Sequence, residues 1–315
     1  MDSCMKRRAR RIAVPLLVLL ANLAGPVVAM AQETRSLDHQ GVARSYIVTN
    51  QAASGSGPKP LLIILHGRRQ PADPNRSFPD LDALATREGF VAVYPSAVDG
   101  KWNYVGEAEP LSRAGGEIVD DLGFVRRLID QLVERKIADP ERIYVSGTSQ
   151  GAFLTYSILC GLADRIAGAA ALLASMTDVQ IAACKPVRAV PTLVIAGTND
   201  RVVRYDGWLS PEDRLTSVPE TMEFWRRQHG CTGQKDSVLP NKVEANPTRT
   251  VLVEWTGCRI EGALRLYRVQ GGGHRLPSIN SPSPVIDPRF GQRSQDFETA
   301  DEVWSFLKPL RRAAN

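Results

Sequence analysis

Five consecutive residues, Gly147-Thr148-Ser149-Gln150-Gly151, constrain what this chain can fold into more than any other feature. They follow the apolar run Ile143-Tyr144-Val145-Ser146 and precede a helix-compatible stretch over 152–160. When a strand passes into a helix through a G-x-S-x-G turn, the central serine is forced into a strained backbone conformation and its Oγ is lifted clear of the sheet. A side chain at either glycine position would crowd neighbouring chain. The spacing therefore predicts a nucleophile at Ser149, with the amide of Gln150 facing the place where an oxyanion would develop.

A serine hydroxyl does not ionise at neutral pH and needs a general base, usually a histidine oriented by a carboxylate. The chain has four histidines. His39 lies upstream of any expected sheet and reads as a surface residue, and His229 ends a helical stretch beside Cys231, where a positive charge suits the helix terminus. His66 closes the run Leu61-Leu62-Ile63-Ile64-Leu65 and reads as a loop-packing residue. His274 remains, in Gly271-Gly272-Gly273-His274 directly after the strand-like Leu264-Arg265-Leu266-Tyr267-Arg268-Val269. A glycine-rich flexible loop at a strand end is a typical place for a base carried on a rigid scaffold.

The expected carboxylate is Asp200, delivered by the strand Val194-Ile195-Ala196 and the turn Gly197-Thr198-Asn199. Catalytic groups collect at the carboxyl ends of strands in open α/β sheets. If Asp200 instead caps its turn or pairs with Arg201, Asp206 or Asp213 takes its place. The chain order Ser149, Asp200, His274 is that of the α/β-hydrolase triad and differs from the chymotrypsin and subtilisin orders. A second oxyanion donor is expected after the 61–65 strand, from the amide of Arg68 or that of Gly67.

His66-Gly67 with Gln70, Trp102-Asn103, the helix start Asp120-Asp121-Leu122-Gly123-Phe124, the elbow at Ser149, Gly197-Thr198-Asn199-Asp200 and Gly271-Gly272-Gly273-His274 occur in an order with a precedent. From about residue 46 to the C-terminal helix the chain resembles secreted polyhydroxybutyrate depolymerases and feruloyl esterases, which are related to carbohydrate esterase family 1. The resemblance implies an α/β-hydrolase fold, with a mostly parallel central sheet and helices on both faces. It also implies cleavage of carboxylic esters through an acyl-enzyme, without a cofactor. The esters would be hydroxyalkanoate oligoesters, or feruloyl and acetyl esters of plant-wall polysaccharides. On the same resemblance Trp102 and Asn103 are placed at the substrate, with Arg275 beside His274.

The departures from that pattern concern the pocket more than the triad. Arg68 stands where relatives usually carry cysteine, Arg275-Leu276-Pro277 where they carry Thr-Trp-Pro, and Gln150-Gly151-Ala152 where they carry Asn-Gly-Gly. A cysteine pair common beyond the Trp-Asn motif is missing after Asn103. Two guanidinium groups near an acyl site would favour an ester that carries a carboxylate, unless they pair with Glu107, Glu109 or Asp120.

Composition supports one exported globular domain over 32–315 behind a signal peptide over 1–31. That leader has a basic start (Lys6, Arg7, Arg8, Arg10, Arg11), an apolar core over 14–20 and the small-x-small signal Ala29-Met30-Ala31. Pro15, Asn22 and Pro26 and the short apolar core argue against a lasting membrane anchor, and Cys4 precedes the core, so it is no lipoprotein attachment site. The full chain has a net charge of +5. Removing five bases and Asp2 leaves it near +1, which gives no ground for nucleic-acid binding.

Cys160, Cys184, Cys231 and Cys258 remain, an even set that favours disulfides in a secreted or periplasmic protein. Of the three possible pairings we favour Cys160 with Cys184 and Cys231 with Cys258, since the first two flank the elbow helix and the Asp200 strand and the second two bracket a hairpin-like region. No C-x-x-C or paired His-Cys spacing points to a metal. Strands are expected at 46–48, 90–94, 192–196, 251–255 and 264–269, and a terminal helix over 300–310. Long loops over 95–116 and 277–297 leave the sheet near catalytic segments and are expected to wall the pocket. A prolyl oligopeptidase-like peptidase shares the triad order, and a catalytically silent binding module shares the fold. Against the first stands the lack of a propeller-length region before the domain, and against the second the presence of all three triad candidates.

Overall fold

The computed structural model describes residues 32–49, 57–73, 78, 80–105, 112–209, 214–281 and 287–312. The expected leader, Glu107, Glu109 and Asp213 lie outside the described residues. The chain begins with strands β1 (Glu33–His39), β2 (Val42–Thr49) and β3 (Lys59–Leu65), then helix α1 (Leu81–Glu88) and β4 (Val91–Pro95). A short pair, β5 (Arg113–Ala114) and β6 (Glu117–Ile118), leads to α2 (Asp121–Glu134), β7 (Ala138–Thr148) and α3 (Gln150–Gly161). Next come β8 (Gly168–Leu172), α4 (Asp178–Ala183), β9 (Thr192–Gly197) and a second short pair, β10 (Trp208–Leu209) and β11 (Arg214–Leu215). The chain then forms α5 (Val218–His229), β12 (Gly233–Val238), β13 (Arg249–Thr256), β14 (Leu264–Gln270) and α6 (Thr299–Leu307).

Ten strands form one sheet in the order β1-β2-β4-β3-β7-β8-β9-β14-β13-β12. The six from β4 to β14 run parallel, and an antiparallel pair extends the sheet on each side. Central parallel strands are buried on both faces and so read as continuous apolar runs. In β3, Leu61, Ile63 and Leu65 enter one core with Phe124 of α2, Leu154 of α3 and Trp225 of α5. Leu62 and Ile64 enter the other, with Leu84 of α1 and Trp304 of α6. The result is a mostly parallel sheet with helices on both faces, the architecture expected from the sequence.

Local signals fix the helix starts. The Asp120 side chain accepts the Gly123 amide at the head of α2, and Ser217 and Glu220 form a capping box on α5. Disulfides join Cys160 to Cys184 and Cys231 to Cys258, the latter closing the base of the β12–β13 hairpin.

The sheet begins earlier than the sequence indicates. His39 is not upstream of it but ends β1, where it is half-buried with Nε2 3.2 Å from Asp120 Oδ2. Strand β1 reads Glu-Thr-Arg-Ser-Leu-Asp-His, too polar to announce itself, because only Leu37 turns into the core.

Candidate active site

The parallel strands β3, β7, β9 and β14 all open at the same edge of the sheet, and the sequence-predicted residues sit just beyond their carboxyl ends. Ser149 lies between β7 and α3 with φ 56° and ψ −119°, a conformation that a non-glycine residue adopts only under constraint. A Cβ at Gly147 would run into the carbonyl of Gly151, and one at Gly151 into the carbonyl of Leu65. The two glycines thus let the start of α3 pack against the end of β3, which brings the loop after β3 beside Ser149.

His274 follows β14, and its Nδ1 lies 2.6 Å from Asp200 Oδ2, with both side chains buried. The other carboxylate oxygen, Oδ1, accepts the amides of Val202 and Val203, each at 2.8 Å. Asp206, the alternative carboxylate, is exposed. The glycine-rich loop before His274 is laced rather than loose. The amide of Asn199 donates to Gly272 O at 2.8 Å, that of Gly271 to Thr198 Oγ1 at 2.9 Å and that of Gly273 to Gln292 O at 2.8 Å. A Cβ at Gly273 would collide with the Phe290 carbonyl. Close backbone approach, more than flexibility, is what this loop requires of glycine.

In the loop after β3, Gly67 N donates to Gln70 Oε1 at 3.0 Å and Arg69 N to Gly100 O at 2.6 Å. Of the two amides the sequence leaves open, that of Gly67 is therefore committed, and that of Arg68 has no partner among the described residues. Gln150 is the first residue of α3, where helical amides have no intrahelical acceptor. His66 packs the loop: its Nδ1–H donates to Gly67 O at 2.8 Å and its Nε2 accepts Ala97 N–H at 3.1 Å. That tautomer is neutral, and burial holds the imidazole below its ordinary pKa. His229 is also buried, and burial pushes it down to about 4, so it brings no positive charge to the end of α5 at neutral pH.

A cavity of about 590 Å³ opens over this edge, and both Ser149 and His274 line it. Its wall includes Arg68, Leu173, Arg275, Phe290 and Arg293. Trp102 and Asn103, expected at the substrate, do not reach it. Trp102 is wholly buried, with its indole N–H donating to His66 O at 2.9 Å. The Asn103 side chain is spent on backbone groups, its Nδ2 donating to Ser112 O and Val119 O and its Oδ1 accepting Ser112 N–H, while its backbone N–H donates to Asp121 Oδ2. Among the described residues of the two long loops, only those of the second wall the cavity, and the described part of 95–116 packs against the loop after β3 instead.

Arg68 is exposed at the cavity rim, while Arg275 is half-buried and its guanidinium is lowered from the ordinary arginine range by burial. Asp120 is engaged by His39, Gln40 and the Gly123 amide. Sequence reading missed Leu173, Phe290 and Arg293. Leu173 follows β8 while Phe290 and Arg293 share the 277–297 loop, no motif marks any of the three, and only the folded chain brings them together.

The family model described as Esterase PHB depolymerase matches residues 45–203. A bifunctional acetylxylan esterase/xylanase, XynS20E, of Neocallimastix patriciarum is 31% identical over 76% of this chain and 32% of its own length. Feruloyl esterase B of Piromyces equi is 28% identical over 70% of this chain and 40% of its own. The chain thus spans about a third to two fifths of these relatives. An acetyl xylan esterase from Aspergillus awamori superposes with a TM-score of 0.58 at 13% identity, over 88% of this chain and 99% of that one, a likeness of α/β-hydrolase fold.

Proposed function

The chain belongs to the Esterase PHB depolymerase family, and on that premise we propose that it hydrolyses carboxylic esters through an acyl-enzyme on Ser149. The observation that carries this reading is the 2.6 Å contact between His274 Nδ1 and Asp200 Oδ2 in a cavity that His274 shares with Ser149. With Nδ1–H donated to Asp200, Nε2 keeps its lone pair and can take the Ser149 proton as Oγ attacks the ester carbonyl. The amides of Gln150 and Arg68 then stabilise the oxyanion, and each such donor contributes on the order of 10²- to 10³-fold in rate. Collapse of the tetrahedral intermediate breaks the bond to the alcohol oxygen, which leaves with the proton from Nε2. Water, deprotonated by the same nitrogen, attacks the acyl carbonyl and releases the acid and Ser149.

The substrate belongs to the ester chemistry named for the relatives: hydroxyalkanoate oligoesters, or feruloyl and acetyl esters of wall polysaccharides. Residues 32–315 serve as one catalytic domain, secreted or periplasmic, with Cys160–Cys184 and Cys231–Cys258 oxidised. Among the described residues no helix is long and apolar enough to cross a membrane.

A chromogenic acetate ester assayed with wild type and Ser149→Ala tests the reading. Turnover by wild type and its loss in the variant are expected. An inactive wild type would return the site to the peptidase or binding-module alternatives.

A further inference from the structure

The cavity holding Ser149 and His274 has an excess of positive charge. Arg68, Arg69, Arg275 and Arg293 line it, and so does Arg289, which pairs with Asp287 at 2.6 Å. Among its described lining residues the single carboxylate is Glu298, and that group is already engaged. Glu298 Oε1 accepts the amides of Ile279 at 2.6 Å and Asn280 at 2.7 Å, and Oε2 accepts the Ser278 hydroxyl at 2.9 Å.

Arg293 is the informative residue. It is half-buried, and its Nε is shielded from solvent without a hydrogen-bond partner. Enclosing a guanidinium N–H without an acceptor is unfavourable, and arginine cannot relieve it by losing its proton. Burial first and the neighbouring charge of Arg275 second lower its pKa, with Glu298 opposing them. An anion entering the cavity would place its charge beside the guanidiniums of Arg293 and Arg275, which line it together, and would offset the repulsion between them. A planar carboxylate matches the guanidinium fork, whereas a neutral ester offers only weaker carbonyl acceptors.

We propose that this cavity selects esters bearing a free carboxylate, such as the acid terminus of a hydroxyalkanoate oligomer, with Arg293 and Arg275 as the specificity-determining residues. The proposal rests on the ester-hydrolase reading of Ser149 and adds the class of ester. It makes the enzyme a consumer of short acid-ended fragments, which a separate polymer-cleaving step must supply.

The test compares kcat/KM for cleavage of the internal ester in the hydroxybutyrate dimer and in its terminal carboxamide, alongside 4-nitrophenyl acetate. Wild type should prefer the acid by about tenfold or more at low salt, with a smaller preference at high salt. In Arg293→Gln and Arg275→Gln the acid-to-amide ratio should fall towards one, with thermal unfolding confirming that each variant is folded. The wild-type ratio needs no variant and keeps the test open if one fails to fold. Equal kcat/KM for the two dimers, with 4-nitrophenyl acetate still cleaved, would overturn the carboxylate proposal and leave the hydrolase reading standing. A preference that survives in both folded variants would overturn the assignment to these arginines. Failure to cleave any of the three compounds would overturn the hydrolase reading and this one with it.

Discussion

The backbone N–H of Trp102 donates to Gln150 Oε1 at 3.1 Å, which ties the residue after Ser149 to a fully buried tryptophan. The same indole holds His66 O through Nε1, so Trp102 joins the end of β3 to the elbow. Trp102 thereby links the two segments that carry the proposed oxyanion amides, from outside the cavity. Gln150→Ala should leave a buried amide unpaired and destabilise the fold by about 1–3 kcal/mol. Trp102→Phe, which deletes the indole donor, should lower kcat severalfold with KM unchanged. A rise in KM with constant kcat would show that the indole binds substrate after all.

Ser149→Ala, His274→Ala and Asp200→Asn should each lower kcat by roughly 10³- to 10⁴-fold or more, and pairs of them hardly further, because the three act as a unit. Steady-state kinetics on the single and double variants reads this out. Near-wild-type turnover by Asp200→Asn would detach the carboxylate bound to His274 from the chemistry.

Gly147→Ala places a methyl group against the Gly151 carbonyl, and Gly151→Ala places one against Leu65. Both neighbours are backbone and cannot step aside, so each variant should lose about 3 kcal/mol. Urea midpoints measure the loss, and a shift within error would mean that the elbow tolerates a side chain there.

Burial pushes the His229 imidazole from an ordinary value of 6.5 to about 4. Between these values the unfolded chain takes up a proton that the folded chain refuses, so stability rises with pH in that window. The contribution is complete above about pH 6.5 and is lost as pH falls towards 4, a change of about 3 kcal/mol. His229→Gln should flatten the dependence of the urea midpoint on pH between 7 and 4. Parallel curves for variant and wild type would exclude His229 as its source.

The legible parts of the chain share one physical property. Strands β3, β4 and β9 lie in the parallel part of the sheet, and their burial writes itself into continuous apolar runs such as Leu61 to Leu65, whereas β14 at its border carries Arg265 and Arg268 among its apolar residues. Strand β8, Gly-Ala-Ala-Ala-Leu, is equally buried, but alanine favours helix and marks no strand. The edge strand β12, Gly-Gln-Lys-Asp-Ser-Val, shows most of its side chains to solvent. At the site, Ser149, Asp200 and His274 were readable because each needs a particular turn chemistry at a strand end. Arg293 and Leu173 were not, since a cavity wall needs only shape and charge, and residues far apart in sequence can supply both. Trp102 and Asn103 were placed at the substrate by resemblance, and a shared motif does not tell which way a side chain points.

The carbonyls of Phe290 and Gln292 rest on Gly273, immediately before His274. The stretch that shapes the wall is therefore also the clamp on the loop that carries His274. A protein engineer who grafts a foreign wall here to widen the range of esters would be loosening the imidazole as well. On the proposed mechanism substrate scope and turnover are mechanically coupled, and the variants that escape the coupling are those that change side chains on the wall while keeping its main chain.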